Sequence, residues 1–219
     1  ILELNAGTGE DSIYFAEAGH RVHATDIAEG MLEALTAKVK TKQLEQRITS
    51  ERCSFTALQT LRHKGPYDLI FSNFAGLNCT GQLRQVLVSL WPLLKPKGQV
   101  TLVLLPPFCL WETMLAFRGN FRTAFRRFNS KHGRKAYVEG VPFTCWYYRP
   151  SFVTDALQQD YELLGIEGLC SIVPPSYLEH FPAKFPRAYR FLMTVENKLK
   201  EKRPWKYIGD YYIISLRKR

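Results

Sequence analysis

Through the first 107 residues, short apolar runs that end in small or polar residues alternate with segments whose apolar residues recur at helical spacing. That alternation constrains the fold more than any other feature of the chain. The run at Ile1–Leu4 meets the turn "NAGTG", and "EDSIYFAEAGH" then reads as a helix with acids in its first turn and Gly19 as a left-handed cap. "HRVHATD" is a second strand ending at Asp26. Residues Ala28–Lys40 form a second helix carrying Met31, Leu32, Leu35 and Val39 on one face. A weaker strand follows at Ile48–Phe55, and "YDLIFSN" is a fourth. Leu83, Leu87, Leu90 and Leu94 predict a long helix, with "KPKG" as its cationic end and Gly98 as its stop. The continuous apolar run "QVTLVLL" has the pattern of a central strand covered on both faces. Parallel neighbours need crossover helices, so the expectation is an α/β fold with a doubly wound, mainly parallel sheet.

After Pro107 the rhythm breaks. Residues 108–149 carry the basic series Arg118, Arg122, Arg126, Arg127, Lys131, Arg134 and Lys135, then a hairpin pattern in "KAYVEGVPFTCWYY", and read as an insertion. The basic series is either a solvated face or a binding surface. "SFVTDALQQ" restarts a helix and "YELLGIEGLCSIV" a strand. A second insertion covers residues 174–206, where Ala188, Leu192, Val195 and Leu199 predict a packed helix, and "DYYIISL" closes the chain as a strand. Strand signals number seven, and 219 residues suit one domain with two insertions. Because residue 1 already lies in a strand, a preceding segment is expected.

The chemistry-bearing positions gather at the first turn and at the carboxyl ends of the strands, where open α/β sheets bind ligands. Gly7 and Gly9 permit close backbone approach and positive φ, which Asn5 also tolerates, and Asp26 suits a pair of ribose hydroxyls. Asp26 can equally cap the following helix. These features fit any nucleoside-bearing cofactor. Five dispersed cysteines without a C-x-x-C pair offer no zinc pattern and read as thiols of a reducing cytoplasm. No apolar run is long enough for a membrane helix. The net charge of +10 leaves a nucleic acid, an anionic membrane or an acidic substrate open.

"ELNAGTGE", "ATDIAEGML", "YDLIFSNFAGLN" and "LLKPKGQVTLVLLPP", in that order, resemble the motif series of class I S-adenosylmethionine-dependent methyltransferases of the small-molecule type. The resemblance covers residues 1–107 closely. It implies a seven-stranded Rossmann-like sheet whose last strand is antiparallel, with the insertions as helical and hairpin lids. It also implies S-adenosyl-L-methionine as cofactor and a small-molecule methyl acceptor. Carried over by position, Glu3, Asn5, Ala6, Gly7 and Gly9 line the methionine part, and Asp26 binds the ribose. Ile27 and Met31 lie against the adenine, Ser54 and Phe55 flank the base, and Asn73 and Phe74 lie near the sulfonium. No catalytic base is singled out. Trp111, Tyr147, Tyr148 and Tyr177 either line the acceptor site or form the core of the insertions.

Three other readings stand beside this one. A nicotinamide-binding Rossmann domain could place Ser12 at the third position of its glycine pattern. Glu10 and Asp11, however, sit where that fold seats a pyrophosphate. A nucleic-acid partner is disfavoured because "SNFAG" stands where base-methylating enzymes typically carry Asp or Asn with Pro-Pro-aromatic. A non-catalytic subunit with the same fold would leave no room beside the methyl group.

Overall fold

The computed structural model describes residues 1–128, 132–138, 141–175 and 178–219. Seven strands form one sheet: β1 (Leu2–Leu4), β2 (Val22–Asp26), β3 (Ile48–Arg52), β4 (Tyr67–Ser72), β5 (Leu94–Leu104), β8 (Tyr161–Leu169) and β9 (Tyr211–Lys218). Their order is β3-β2-β1-β4-β5-β9-β8, and β9 alone runs antiparallel to its neighbours. The order reverses at β1, so the loop after β1 opens between two strand pairs, where the doubly wound fold leaves its crevice. All seven expected strands are present.

The helices α1 (Glu10–Glu17), α2 (Glu29–Thr41), α3 (Leu83–Ser89) and α6 (Pro150–Leu157) cover the sheet. Ile13, Ala16, Leu35 and Val39 from α1 and α2 form one core with Val22, Ala24 and Ile48. A larger core gathers Leu2, Leu4, Ile70, Leu102 and Ile214 of the sheet with Leu83, Leu87, Val153 and Leu157 of α3 and α6. Val100, Leu102 and Leu104 of β5 are fully enclosed, as the apolar run predicts.

The helix around Leu83 is shorter than its leucine spacing implies. It ends at Ser89, and the residues Trp91–Leu93 form a separate 3-10 turn containing Pro92. A proline has no N–H to continue the helical ladder. Leu94 opens β5, and "KPKG" lies inside that strand, where Lys97 has φ 61° and the pairing with β4 shifts register between Tyr67 and Leu69. The segment is an irregular strand entry and not a helix end.

Both insertions take the secondary structure expected of them. The first holds α4 (Leu110–Met114), α5 (Phe121–Ala124) and the hairpin β6 (Arg134–Val138) with β7 (Val141–Cys145). The second holds α7 (His180–Lys184) and α8 (Pro186–Leu199). α8 is less packed than its spacing suggests: Ala188 is exposed, Leu192, Val195 and Leu199 are half-buried, and the buried side chain is Glu196. Its carboxylate accepts the backbone N–H groups of Cys170, Ile172 and Val173 at 3.0, 2.8 and 2.9 Å. The helix is anchored by this polar clasp more than by an apolar face.

Candidate cofactor cleft and lid cavity

The loop after β1 is built from three left-handed residues, Asn5, Gly7 and Gly9, and a short turn. Asn5 has φ 50°, and its side chain bridges to the end of β4 by accepting from Ser72 Oγ at 2.7 Å and donating to the Asn73 carbonyl at 3.1 Å. The Gly9 N–H then donates to the Ala6 carbonyl at 2.9 Å. A Cβ at Gly9 (φ 82°) would lie 2.0 Å from Leu35 Cδ1, so glycine is required there for α1 to pack on α2. Gly7 (φ 54°) differs: a Cβ there would meet nothing within 4 Å. The space over Gly7 is open to a ligand, and a side chain there would enter it.

Asp26, at the end of β2, accepts the Gly7 N–H on Oδ2 and the Ala28 N–H on Oδ1, both at 2.9 Å. Each carboxylate oxygen keeps a second lone pair. The residue therefore does the helix-entry work and still offers acceptors to a diol. Beside it, Ile27 and Met31 are exposed, an apolar surface at the strand end that a flat base would cover. Ser54 is engaged locally, accepting from the Thr56 N–H at 3.2 Å, and Phe55 packs against the larger core. Phe74 has φ 45°, is exposed, and meets Tyr211 edge to face. Asn73 donates to Asp11 Oδ2 at 2.9 Å, joining the start of α1 to the end of β4 across the crevice. Glu10 lies outside this arrangement, paired with Lys38 at 2.5 Å.

Glu3 is 2% exposed, and Ser12 Oγ donates to its carboxylate. Burial pushes its carboxyl up to about 7, with the negative Asp11 and Asp26 adding to the rise against the Ser12 bond. A buried carboxyl held by one hydroxyl is short of positive partners. A cation in the crevice would supply one.

A separate open cavity of about 1150 Å³ lies where the first insertion meets α6 and β8. Its wall includes Phe108, Phe128, Trp146, Tyr147, Phe152 and Tyr207. Tyr148 also lines it, and its hydroxyl donates to the Thr80 carbonyl. Trp111 is half-buried in α4 and is not on this wall; Tyr177 lies outside the described residues. None of the cofactor candidates lines the cavity, but Asn78 links the two regions. Its side chain donates to the carbonyls of Leu105 (3.2 Å) and Trp146 (2.5 Å) and accepts from the Leu105 N–H (3.0 Å). The loop after β4 thereby positions the segment after β7, whose Trp146, Tyr147 and Tyr148 wall the cavity.

The basic series divides in two. Arg118 and Arg122 are exposed, as a solvated face requires. Arg127 is 2% exposed and lies between Glu112 and Asp210, donating to both carboxylates and to the Asp210 carbonyl at 2.8 Å. Arg126 donates to Glu112 from the other side. Burial alone would raise the Glu112 carboxyl, yet the two guanidiniums hold it below the usual range. Asp210 has the smaller share of the cation, and burial pushes it up. Cys109, Glu112 and Asp210 converge, and the cation among them is the Arg127 guanidinium. This cluster ties the first insertion to the residue that precedes β9, and the sequence marks it only as basic residues in a row and two distant acids.

Residues 1–98 match a family model described as a methyltransferase domain. No curated protein matches the chain by sequence. Among solved structures, the chain resembles the CcbJ methyltransferase from Streptomyces caelestis at 14% identity, covering 100% of this chain and 88% of that one with a TM-score of 0.65. It resembles geranyl diphosphate C-methyltransferase from Streptomyces coelicolor at 12% identity, covering 100% and 70% with a TM-score of 0.63. The cyclase SpnF matches at 12% identity, 99% and 74% coverage and a TM-score of 0.58. These likenesses establish the Rossmann-like methyltransferase fold.

Proposed function

We propose, from the premise that residues 1–98 are a methyltransferase domain, that the whole chain acts as one domain moving the methyl group of S-adenosylmethionine onto a small apolar or aromatic acceptor. The observation that carries this reading is the open space over Gly7 beside the buried, partner-poor carboxyl of Glu3. A cofactor bearing ammonium and sulfonium charges and no phosphate suits such a site. Asp26 would hold the ribose hydroxyls, Ile27 and Met31 the base, and Asn73 and Phe74 the reacting end. The dinucleotide alternative would seat a pyrophosphate on the first turn of α1, where Glu10 and Asp11 would repel it.

The bound cofactor supplies a methyl carbon already activated toward displacement. The protein's part is to exclude water and hold the acceptor atom in line, within roughly 3 to 3.5 Å. In this reading the aromatic cavity between the first insertion, α6 and β8 is the acceptor chamber, tied to the end of β4 through Asn78. Its phenols Tyr147 and Tyr148 are pushed up to about 12 by burial, so near neutral pH neither removes a proton; the Tyr148 hydroxyl is spent on Thr80, which leaves Tyr147 to donate to an acceptor. An acceptor whose nucleophile is already anionic matches that lining best.

Incubating the protein with methyl-labelled S-adenosylmethionine and an organic-soluble metabolite extract tests the proposal. Label in a small apolar product is expected. Label confined to protein or RNA, or a cofactor that binds without any transfer, overturns it.

A further inference from the structure

The two insertions separate charge from the rest of the molecule. Residues 108–149 and 174–206 hold sixteen of the thirty Lys and Arg residues but five of the twenty Asp and Glu, while the remainder holds fourteen and fifteen. The sheet body is thus close to neutral, and the lids carry the whole positive excess. Their outer surface is also apolar. In the first insertion Phe117, Phe121 and Phe125 recur every four residues, each followed by an arginine at 118, 122 or 126. Phe117 is 91% exposed and Phe121 61%, with Met114, Phe125 and Phe128 also exposed. In the second, Phe185, Phe191 and Met193 are exposed on or beside α8, and Arg187, Arg190 and Lys198 are exposed on the same helix.

We infer that this lid surface docks on an anionic lipid bilayer, with Phe117 and Phe121 entering the headgroup region while Arg118 and Arg122 meet the lipid phosphates and carboxylates. Phenylalanine beside cations on a short surface helix is the composition of interfacial attachment. Single-stranded nucleic acid also selects aromatics and cations, but it binds along a groove whose rings stack on bases. Here the most exposed ring stands on a lid turn, and the second lid adds Met193 and Leu192, which offer no stacking face. The assignment stands whether or not the cavity holds the methyl acceptor. Phe128, the last of the phenylalanine series, also lines that cavity, so docking would bring the cavity wall to the lipid surface.

Sedimentation of the full chain with vesicles of phosphatidylcholine, with and without 30% phosphatidylserine, tests this. Binding to the anionic vesicles that weakens with salt and is near absent on phosphatidylcholine alone is expected. Arg118→Gln with Arg122→Gln should lower partition about 25-fold, since each surface cation contributes about fivefold. Phe117→Ser with Phe121→Ser should lower it at least tenfold, with unchanged Tm in both variants. The inference is overturned by no binding to anionic vesicles at 0.1 M salt, by binding that both variants retain, or by a dimer in the free protein that Phe117→Ser with Phe121→Ser dissociates. Tighter binding to a polyuridine oligomer than to vesicles, lost in the same variants, overturns it in favour of RNA.

Discussion

Glu3→Gln should stabilise the ligand-free protein at alkaline pH while weakening its hold on a cationic cofactor. Burial moves the Glu3 carboxyl from the ordinary 4.5 to about 7, so the folded state retains a proton that the unfolded chain releases. Its contribution is fully present below about 4.5 and is lost as pH rises through about 7. At about 1.4 kcal/mol for each pKa unit, the loss is about 3 kcal/mol by pH 8. Glutamine keeps an acceptor for Ser12 and carries no charge to desolvate. Urea unfolding of both proteins at pH 5 and pH 8 isolates this residue and its coupling to Asp11 and Asp26, because groups that do not interact with it cancel in the difference. The variant's advantage should grow by about 2.5 kcal/mol between the two pH values, since part of the loss has already occurred at pH 5. Calorimetry at pH 8 should at the same time show S-adenosylmethionine binding at least tenfold more weakly to the variant. A stability difference that does not change with pH would refute the argument that Glu3 is a buried carboxyl waiting for a cation.

Gly7→Val should lower cofactor affinity at least 30-fold by calorimetry while costing about 1 to 2 kcal/mol in Tm-derived stability, because its branched side chain enters the ligand space and strains a left-handed φ. Asn78→Ala strips partners from buried backbone groups at Leu105 and Trp146 and should destabilise the protein by about 2 to 4 kcal/mol in urea melts. Glu112 ionises more readily in the folded state than in the unfolded chain. Its stabilising share is present above about 4.5 and lost as pH falls through its lower folded value. Glu112→Gln should therefore be less stable at neutral pH, and should flatten the acid limb of the stability profile followed by circular dichroism.

What was legible in the sequence was whatever local pattern controls. The apolar runs at Val22–Asp26, Tyr67–Ser72 and Leu94–Leu104 are strands because each run is short, buried and bounded by turn residues. The loop from Asn5 to Gly9 is legible because left-handed backbone restricts residue type. The misplaced end of α3 has a local cause too: Leu90 and Leu94 keep helical spacing across Pro92, and spacing alone does not register the missing N–H. The rest depends on distance. Glu112, Arg127 and Asp210 meet across 83 residues of chain between the last two. The three-way clasp of Glu196 and the backbone bonds of Asn78 likewise exist only once the sheet has brought their partners together. For the same reason Ser54 and Phe55 follow β3 as expected, yet the Ser54 hydroxyl turns to its own 3-10 turn and Phe55 to the core. α8 forms where its spacing predicts, but which of its faces is covered depends on the body it lies against.

The central claim is that the crevice between β1, β2 and β4 binds S-adenosylmethionine through its own residues. Calorimetric titration of the wild type and of Asp26→Asn with S-adenosylmethionine tests it most directly. One site per chain is expected in the wild type and at least tenfold weaker binding in the variant, with about 1 to 2 kcal/mol of lost stability because the amide can accept only one of the Gly7 and Ala28 N–H groups. Equal affinity in both proteins, or no binding to the wild type, would contradict it.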